Sequence, residues 1–488
     1  MDTGACEQGE VPDEPVQSCT ELTYSEVLSL EEGDMAPREV DPSRPGIGVG
    51  DLDGDGDDDV LFAWGGGSFF GWNEGGTLDV SGAKAPSLPH GSSVALVDLD
   101  GDGDLDAWLG RHGEADVVLR NEGARSFAVE ELVGSEDAPG GAAFGDLDGD
   151  GDPDLVVGRA PVRLDESDFD DEHAVGTGVE LWWNEHGTLV ASDAFDALDG
   201  SLVWQPSLLD VEGDGDLDVY VANDFGALYV PSRLMVNDGA GGFTRAEDCG
   251  CELEHYAMSA AVGDPDTDGL PDLWISDLGE SELLQNQGDG SFVDVSLGLG
   301  LSWSQTGATR AAWGARWLDA DRDGCMDLAV VLGQLGSPGT GGPAELEDVQ
   351  HDELLLGDCE GGLAFASPRP FGDGHRARAL ATGDFDGDGR DDLVVGGKHY
   401  FRVYQASGGC PTGLSLELDS RAVGARVEVT VGDRTTTRWL LPGGTLSASA
   451  PRLVFGLGGA PGADRVDVTW PDGTTWCQEG VPAGELVP

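Results

Sequence analysis

Residues 51–59 read DLDGDGDDD, and this nine-residue pattern recurs six more times along the chain. The starts of successive copies are separated by 47, 48, 64, 54, 55 and 65 residues. Copies at such near-regular spacing indicate a repeat architecture, in which each copy marks one structural unit. The later copies are DLDGDGDLD at 98–106, DLDGDGDPD at 146–154, DVEGDGDLD at 210–218, DPDTDGLPD at 264–272, DADRDGCMD at 319–327 and DFDGDGRDD at 384–392.

Each copy has the donors of a calcium loop. Carboxylates at positions 1, 3, 5 and 9 can converge on one hard cation, and position 7 varies freely, as expected if it offers its backbone carbonyl. Position 6 is always glycine, which a sharp turn with φ > 0 requires. A flexible all-protein oxygen cage suits calcium better than magnesium. The predicted ligands, loop by loop, are Asp51, Asp53, Asp55, Asp57 and Asp59; Asp98, Asp100, Asp102, Asp104 and Asp106; Asp146, Asp148, Asp150, Asp152 and Asp154; Asp210, Glu212, Asp214, Asp216 and Asp218; Asp264, Asp266, Asp268, Leu270 and Asp272; Asp319, Asp321, Asp323, Cys325 and Asp327; and Asp384, Asp386, Asp388, Arg390 and Asp392.

Metal-free Asp-Gly turns are the alternative interpretation, because Asp and Gly are common turn residues. Such turns do not require four acids in nine residues, and unit charges ~4 Å apart repel by about 4 kcal/mol at an effective dielectric of 20. The pattern therefore favours a metal. The fifth and sixth copies fit less well, since Thr267 and Arg322 replace the position-4 glycine and Arg322 adds a positive charge.

The residues around each loop predict β-strands. A short β-rich run such as Val60-Leu61-Phe62 follows each loop at once, which excludes the helix of an EF-hand. A second element, of the type WNEGGTL from Trp72, recurs downstream and reads as a strand, an Asn-Gly turn and another strand. In one copy, Trp182 and Trp183 are expected to alternate across a strand and pack in the core.

About four strands per unit, repeated seven times, predict an all-β fold with a seven-bladed β-propeller. After the seventh loop, Phe401–Tyr404 supplies an inner strand, but no outer strand follows. We expect residues Leu22–Val27 to supply the missing outer strand and to close the ring, which removes exposed sheet edges.

Composition limits the classes of partner. The 488 residues include 94 acidic and 25 basic ones, for a formal net charge of -69, so binding to nucleic-acid phosphates or anionic membranes is disfavoured. With 39% hydrophobic residues, the chain can still build a core. It has no apolar run long enough to span a bilayer and no signal-peptide pattern at its start, so we expect no membrane insertion. Eight cysteines and only two lysines, Lys84 and Lys398, nevertheless favour an exported protein.

The repeats resemble FG-GAP/VCBS repeat proteins, relatives of the integrin alpha-subunit propeller, and most closely the cartilage acidic protein family. Two stretches carry the resemblance, DVEGDGDLDVYVANDFGALYVPSRLMVNDGAGGF from Asp210 and MSAAVGDPDTDGLPDLWISDLGESELLQNQGDGSFVDV from Met258. From Cys410 onward the chain is similar to the ASPIC/UnbV domain, through GARV at 424–427, FGLG at 455–458 and WPDG at 470–473. Val454 and Asp472 depart from that pattern. The resemblance implies an N-terminal arm at 1–19, a propeller at 20–408 and a small C-terminal β-sandwich at 409–488.

The eight cysteines allow many pairings. Proximity along the chain favours Cys410–Cys477, Cys325–Cys359 and Cys6–Cys19. Cys249 and Cys251 remain, and a bridge across one residue is expected to be strained. Acylation of Cys6 is an alternative to a disulfide, although no lipobox-like Leu precedes it.

Two functions remain open. The resemblance implies an exported interaction or adhesion scaffold, extracellular or at the cell surface, monomeric, with about seven structural calcium ions and an unknown protein or glycan ligand. The alternative is a polysaccharide lyase or hydrolase on a propeller. Against catalysis, the chain has no HExxH or GxSxG motif, and its histidines, including His112, His255 and His375, are scattered. Arg376 and Arg378 could form part of a basic groove for acidic sugars.

Overall fold

The computed structural model describes most of the chain. The described residues are 6–12, 14–31, 35, 44–81, 88–133, 139–160, 178–195, 200–226, 230–299, 311–333, 350–369, 371–372, 376–419, 421–484 and 486–487. His375 and Lys84 lie outside them.

Strands dominate the described residues. The first fourteen are β1 (Glu7–Gln8), β2 (Thr23–Glu31), β3 (Gly46–Gly50), β4 (Asp59–Ala63), β5 (Phe69–Asn73), β6 (Leu78–Asp79), β7 (Gly91–Val97), β8 (Asp106–Arg111), β9 (Val117–Asn121), β10 (Phe127–Glu131), β11 (Pro139–Gly145), β12 (Asp154–Arg159), β13 (Val179–Asn184) and β14 (Leu189–Ala191). The middle of the chain continues with β15 (Val203–Leu209), β16 (Asp218–Asn223), β17 (Arg233–Asn237), β18 (Phe243–Arg245), β19 (Ala257–Gly263), β20 (Asp272–Asp277), β21 (Glu282–Asn286), β22 (Phe292–Asp294), the short helix α1 (Ser296–Leu299), β23 (Ala312–Leu318), β24 (Asp327–Leu332), β25 (Glu353–Gly357), β26 (Leu363–Phe365), β27 (Ala377–Gly383), β28 (Asp392–Gly397) and β29 (Tyr400–Ser407). The last strands are β30 (Gly413–Glu417), β31 (Arg426–Val431), β32 (Arg434–Trp439), β33 (Gly443–Gly444), β34 (Ser447–Ala448), β35 (Arg452–Gly456), β36 (Gly462–Thr469), β37 (Thr475–Pro482) and β38 (Leu486–Val487).

Within the described residues, seven sheets repeat one four-stranded order. Each begins with an innermost strand, passes through one Asp-rich loop and continues outward through three further strands. Neighbouring innermost strands contact each other from β3 to β27 and back to β3, so the ring closes. The predicted all-β, seven-bladed propeller is confirmed. The blades are β3–β6, β7–β10, β11–β14, β15–β18, β19–β22, β23–β26 and β27–β28–β29–β2.

The ring is closed by the N-terminal strand, as expected. β2 pairs antiparallel with β29, from Thr23 opposite Ser407 to Glu31 opposite Tyr400. Phe401–Tyr404 therefore lies in the third strand of the seventh blade, next to the outer edge. The chain would otherwise leave the backbone groups of β29 unpaired along its length.

The C-terminal residues form a β-sandwich. One sheet has the order β1-β37-β36-β31-β32 and the other the order β35-β30-β38. Buried residues from both sheets, among them Leu414, Val427, Phe455 and Val466, share one apolar core. The predicted second β-domain is thus present, and its larger sheet takes in β1 from the chain start.

A hairpin of this sandwich enters the central channel of the propeller. This channel hairpin, Leu440–Ala450, contains β33 and β34, and β34 adds to β3 as a parallel neighbour. β33 and β34 contact β3, β7, β11, β15, β23 and β27. Leu446 is fully buried in the main propeller core, while Ser447 Oγ donates to the Leu380 carbonyl at 2.7 Å. The hairpin fills a channel that would otherwise hold water.

Two predicted disulfides are wrong and one is confirmed. The structure has Cys325–Cys359, but it joins Cys6 to Cys477 and Cys19 to Cys410 instead of pairing each set internally. The reason is that closing the ring brings the chain start beside the sandwich. The N-terminal segment runs along it, and Gly9 N donates to Glu479 O at 2.7 Å. Cys249 and Cys251, left without partners by the sequence analysis, are joined to each other.

Among the described residues, no helix has both the length and the apolar character needed to cross a membrane.

Candidate metal centres

All seven loops share one hydrogen-bonded frame, built first on position 1. In the first loop, Asp51 Oδ1 accepts from Gly54 N at 2.8 Å, and Asp51 Oδ2 accepts from Gly56 N at 2.9 Å. The bond from the position-6 amide recurs in every loop, through Asp98, Asp146, Asp210, Asp264, Asp319 and Asp384. Hydrogen bonds to the position-1 carboxylate therefore hold the loop in its curved conformation without the help of an ion.

The position-6 glycines turn the chain as predicted, since Gly56 has φ 93° and the other six fall in the same left-handed region. Position 4 adopts φ > 0 as well, from Gly54 at 79° to Thr267 and Arg322, both at 58°. Side chains rarely tolerate this region, which explains why the sequence usually has glycine there. The Arg322 guanidinium does not enter its own loop, because Nη2 donates to the carbonyls of Asp388 and Gly389 in the seventh loop.

Position 9 ties the loop to its blade. Asp59 Oδ2 accepts from Leu52 N at 3.1 Å, and Asp59 Oδ1 accepts from Asn73 N on the third strand at 2.7 Å. The Asn73 side chain in turn donates from Nδ2 to the Phe385 carbonyl of the preceding blade at 3.0 Å. The same inter-blade bond is made by Asn121 to Leu52, Asn184 to Leu99, Asn237 to Leu147 and Asn286 to Val211.

This role of the asparagines was missed from the sequence, where they were interpreted as turn residues with φ > 0. None of the five has positive φ, and each ends the third strand of its blade. The signal that could have revealed them is the recurrence of one buried polar residue immediately before the turn.

Carboxylate oxygens converge in the loops. In at least five of them, one oxygen from each of three acids lies within 4.8 Å of the others. Two ligands on opposite sides of a calcium ion are about 4.8 Å apart, since each bond is ~2.4 Å. One ion can therefore contact all three. The groups are Asp51, Asp53 and Asp59; Asp98, Asp100 and Asp106; Asp146, Asp148 and Asp154; Asp264, Asp266 and Asp268; and Asp319, Asp321 and Asp327.

Two carboxylate oxygens in these groups have no hydrogen-bond donor in the described part of the chain, so a bound cation would satisfy them. Asp53 Oδ1 and Asp319 Oδ1 are buried and accept no hydrogen bond from the described residues. An acceptor buried without a donor costs about 1–3 kcal/mol. The other oxygen of Asp53, Oδ2, accepts from Arg125 Nε at 2.5 Å.

Positions 5 and 7 differ from the simplest prediction. In four of the five converging groups, position 9 rather than position 5 is the third member. The position-5 carboxylate accepts from the position-7 amide instead, as Asp55 Oδ1 does from Asp57 N at 3.0 Å. The position-7 side chain points to the hairpin turn of its blade, where Asp57 Oδ2 accepts from Gly75 N at 2.8 Å. At the same place in the sixth blade, Cys325 forms its disulfide with Cys359.

Burial makes the position-9 carboxylates costly as free anions. Removal from water raises the pKa of these carboxyl groups, against the lowering effect of the backbone hydrogen bonds that they accept, of which Asp272 has one and the others two, because Pro265 at position 2 of the fifth loop has no N–H. A divalent ion in contact with them would remove that cost. The pKa is raised to about 8 at Asp59, Asp218, Asp272 and Asp392, about 7 at Asp154 and about 6 at Asp106.

The C-terminal sandwich lies against the face of the propeller that carries the loops. Its arginines contact the first, third, sixth and seventh loops, and its Gly456 N donates to Asp319 Oδ2 at 2.7 Å. These contacts cover part of the loop face and place positive charge beside acids. They join Arg421 to Gly151 O and Asp152, Arg434 to Asp323 O, Arg438 to Asp319, and Arg452 to Asp58 and Asp384.

Comparison with known families agrees with this geometry. The FG-GAP-like repeat matches residues 51–109, 98–157, 210–275 and 264–330, and the FG-GAP repeat matches residues 377–409. The ASPIC and UnbV family matches residues 417–487, which fall in the C-terminal sandwich. The chain is an FG-GAP repeat protein of the ASPIC/UnbV type.

No curated protein matches the chain. Similar solved structures include a lectin of Agrocybe aegerita that recognises non-reducing terminal N-acetylglucosamine, with 17% identity over 66% of this chain and 79% of that one, at a TM-score of 0.45. BBS1N in complex with ARL6DN is 11% identical over 79% of this chain and 97% of that one, at a TM-score of 0.47. YCF48 bound to D1 peptide is 10% identical over 80% of this chain and 99% of that one, at a TM-score of 0.45. Such distant likenesses say nothing about function.

Outside the FG-GAP loops, the described residues that were considered for catalysis do not come together in one site. His255 Nδ1 lies 3.4 Å from Asp277 Oδ2 and 3.2 Å from Glu282 Oε1, whereas His112 is in a different blade. Arg378 does not line a groove, because it is buried with its guanidinium 4.0 Å from the Trp313 ring centre. The two tryptophans do pack in cores, Trp182 on one side of its strand and Trp183 on the other.

Substitution of an inter-blade asparagine tests directly whether these hydrogen bonds stabilise the propeller. Asn184 is buried, donates from Nδ2 to Leu99 O at 2.9 Å and accepts at Oδ1 from Gly187 N at 2.7 Å. We expect Asn184→Ala to lower the free energy of unfolding by roughly 1–3 kcal/mol, because two buried partners lose their bonds. The measurement is thermal unfolding at saturating calcium. Exposed Gln287→Ala is the control, expected within about 0.5 kcal/mol of the wild type; an equal effect of both would refute the inter-blade role.

Asp352, a buried acid remote from the loops, is expected to make the stability of the protein depend on pH. Burial raises the pKa of Asp352 to about 7, although Leu332 N donates to its Oδ1 at 2.8 Å. Its folded pKa exceeds the unfolded value, so its contribution to stability is complete below about pH 4 and is lost as the pH rises through about 7.

We therefore expect Asp352→Asn to stabilise the protein at pH 8 by on the order of 2 kcal/mol and to have little effect near pH 4. Denaturation profiles of both proteins across this range measure the difference. A variant that is equally stabilised or destabilised at both ends would contradict the assignment.

Proposed function

We propose that this protein is an exported binding scaffold, in which calcium ions in the FG-GAP loops hold the propeller rigid and a protein or glycan binds its surface. The observation that carries the proposal is the recurrence of one acid-lined loop frame, with converging carboxylates, at the same place in successive blades. An ion held in such a frame would fasten the loop between the first two strands of each blade. In this proposal about seven ions are structural, and no catalytic residue is assigned.

Four disulfides and the strongly acidic surface support export. Disulfides persist in oxidising compartments, and extracellular calcium is high enough to fill sites with dissociation constants of ~10⁻⁴–10⁻³ M. A net charge of -69 repels polyanions, which favours a protein or an uncharged or basic glycan as the ligand.

Coverage of the loop face supports a ligand site on the opposite face of the propeller. The ASPIC/UnbV domain lies on that face, and the channel hairpin occupies the channel from the same side. The opposite face, where turns such as residues 112–116 join the second and third strands, is the broad propeller surface left to a ligand.

A glycan and protein panel tests this function. We expect at least one ligand to be retained in calcium, released by chelator and recovered chemically unchanged. A bulky maleimide on Glu114→Cys, at an exposed turn of the opposite face, should block retention, while the same label on Asp472→Cys in the C-terminal domain should not. New unsaturated sugar products would support the lyase instead, and the reverse labelling result would contradict the choice of face.

A further inference from the structure

A cavity lies between the propeller and the C-terminal domain, beside the channel hairpin. The innermost strands β11, β15, β19, β23 and β27 form one side, and residues of the channel hairpin and of both its flanks form the other. Its volume is about 80 Å³, which is room for roughly five to eight water molecules or a ligand of comparable size.

Arg316 on β23 faces this cavity without an ionic partner. Its Nη1 donates to the Leu441 carbonyl at 3.0 Å and to those of Pro442 and Gly443 at 3.4 Å. Among the described residues, no carboxylate oxygen lies within 4.0 Å of its guanidinium. Burial lowers the pKa of Arg316 to about 10, which Asp391 only partly offsets, so the side chain is charged at neutral pH.

Two further arginines line the same cavity with N–H groups to spare. Arg438 is 5% exposed, and its buried Nε has no hydrogen-bond acceptor among the described residues, while its Nη2 lies 3.4 Å from Asp319 Oδ2. Arg452 Nε is also buried and has no hydrogen-bond acceptor among the described residues. Of the other nitrogens, Arg438 Nη1 donates to the Val454 carbonyl and Arg452 Nη2 lies 2.9 Å from Asp58 Oδ2. Buried N–H groups without an acceptor are costly, and an anion in the cavity would supply one.

One acid, Asp391, lines the cavity together with these three arginines. Its carboxylate makes no ion pair within 4.0 Å among the described residues. The lining itself holds three arginines and one aspartate, but Asp319 pairs with Arg438, and Asp58 and Asp384 pair with Arg452, from outside it. Arg316 is thus the arginine of the lining that has no carboxylate within 4.0 Å among the described residues. Because the long-range field of the protein repels anions, we expect an anion to be retained here only if it is small enough to enter the cavity and contact Arg316 directly.

We propose that this cavity binds a small organic carboxylate, held by Arg316 with support from Arg438 and Arg452. The guanidinium fork matches a carboxylate in geometry and charge. Carbon atoms of Leu208, Trp317 and Leu441 line the rest of the cavity, which suits an anion with a short hydrocarbon part better than a strongly hydrated inorganic ion. Binding would tie the propeller to the channel hairpin, since Arg316 already holds three hairpin carbonyls.

Titration of the calcium-loaded protein with acetate and propionate tests the proposal. Ionic strength is held constant with a sulfonate buffer anion too large for the cavity, because any salt would screen a chain this acidic. Saturation-transfer NMR and the melting temperature report binding. We expect saturable binding of both carboxylates with a rise in melting temperature, and weaker effects from chloride and sulfate. Binding of chloride or sulfate in preference to the carboxylates would overturn the proposal, as would a flat response to all four.

Two variants of opposite sign locate the site. Arg316→Gln should weaken carboxylate binding by at least roughly tenfold, the loss of one charged hydrogen-bond donor. Asp391→Asn, which removes the only carboxylate of the lining, should strengthen it several-fold, so the prediction survives if Arg316→Gln folds poorly. Exposed Arg376→Gln changes the charge equally and should leave binding unaltered. Equal behaviour of all three variants would overturn the assignment, and calcium content measured in each separates this outcome from a failure of the calcium loops.

Discussion

Chelation of calcium is expected to lower the melting temperature by roughly 10–20 °C. At free calcium ten times the dissociation constant, each site adds ~1.4 kcal/mol to stability. Seven loops that unfold together would add ~10 kcal/mol. Removing the ions also leaves the acids of each loop facing one another, with position-9 carboxyls such as Asp59 buried. Differential scanning calorimetry with and without chelator measures the effect.

Two additions serve as controls for this experiment. Calcium returned to the chelated protein should restore the original melting temperature, and sodium at equal ionic strength should restore little of it. A melting temperature that stays within about 2 °C after complete removal of calcium would mean that the loops hold the blades by hydrogen bonds alone.

Replacing Leu446 by aspartate is expected to cost on the order of 5 kcal/mol. Leu446 is fully buried in the propeller core at the tip of the channel hairpin. The substitution removes its apolar contacts and puts an uncompensated charge in the channel. The hairpin should then leave the channel, which exposes Arg438 and Arg452 to trypsin. Thermal unfolding and the time course of trypsin cleavage measure both consequences.

Leu297→Asp is the matched control, because Leu297 is 79% exposed on the surface. It should change stability by no more than about 0.5 kcal/mol and should leave trypsin cleavage at the wild-type rate. Equal melting temperatures and cleavage rates for the two variants would show that the hairpin contributes nothing to holding the domains together.

Local chemistry made the blades predictable. Acids and glycine at fixed offsets, followed at once by β-branched and aromatic residues, determine a loop between two strands wherever they occur. The need to cover the edge of β29 then indicated that the N-terminal strand returns to it. These inferences use residues adjacent in sequence, or edges that must be paired, so no tertiary detail was needed.

The contacts between distant segments were not predictable in this way. Cys6 and Cys477 meet because ring closure brings the two ends of the chain together, whereas pairing by sequence proximity assigned both incorrectly. The channel hairpin has the sequence LLPGGTLSASA, which reads as an ordinary loop. Its burial depends on the diameter of a channel that exists only after all the blades have assembled.

The loops themselves were predicted in composition but less well in geometry. The position-7 side chains proved to serve the hairpin turns, as Asp57 does with Gly75, and Cys325 takes the same place through a disulfide. A pattern of acids reveals that donors are present. Which oxygens converge depends on the backbone amides that each carboxylate has already accepted, and the sequence does not display those.

The calcium content of the purified protein tests the central claim most directly. Elemental analysis after dialysis against millimolar calcium should find about seven ions per chain, one for each acid-lined loop, and Asp327→Asn should retain one fewer. A content close to zero, or the loss of all bound calcium without any change in the melting temperature, would contradict the account.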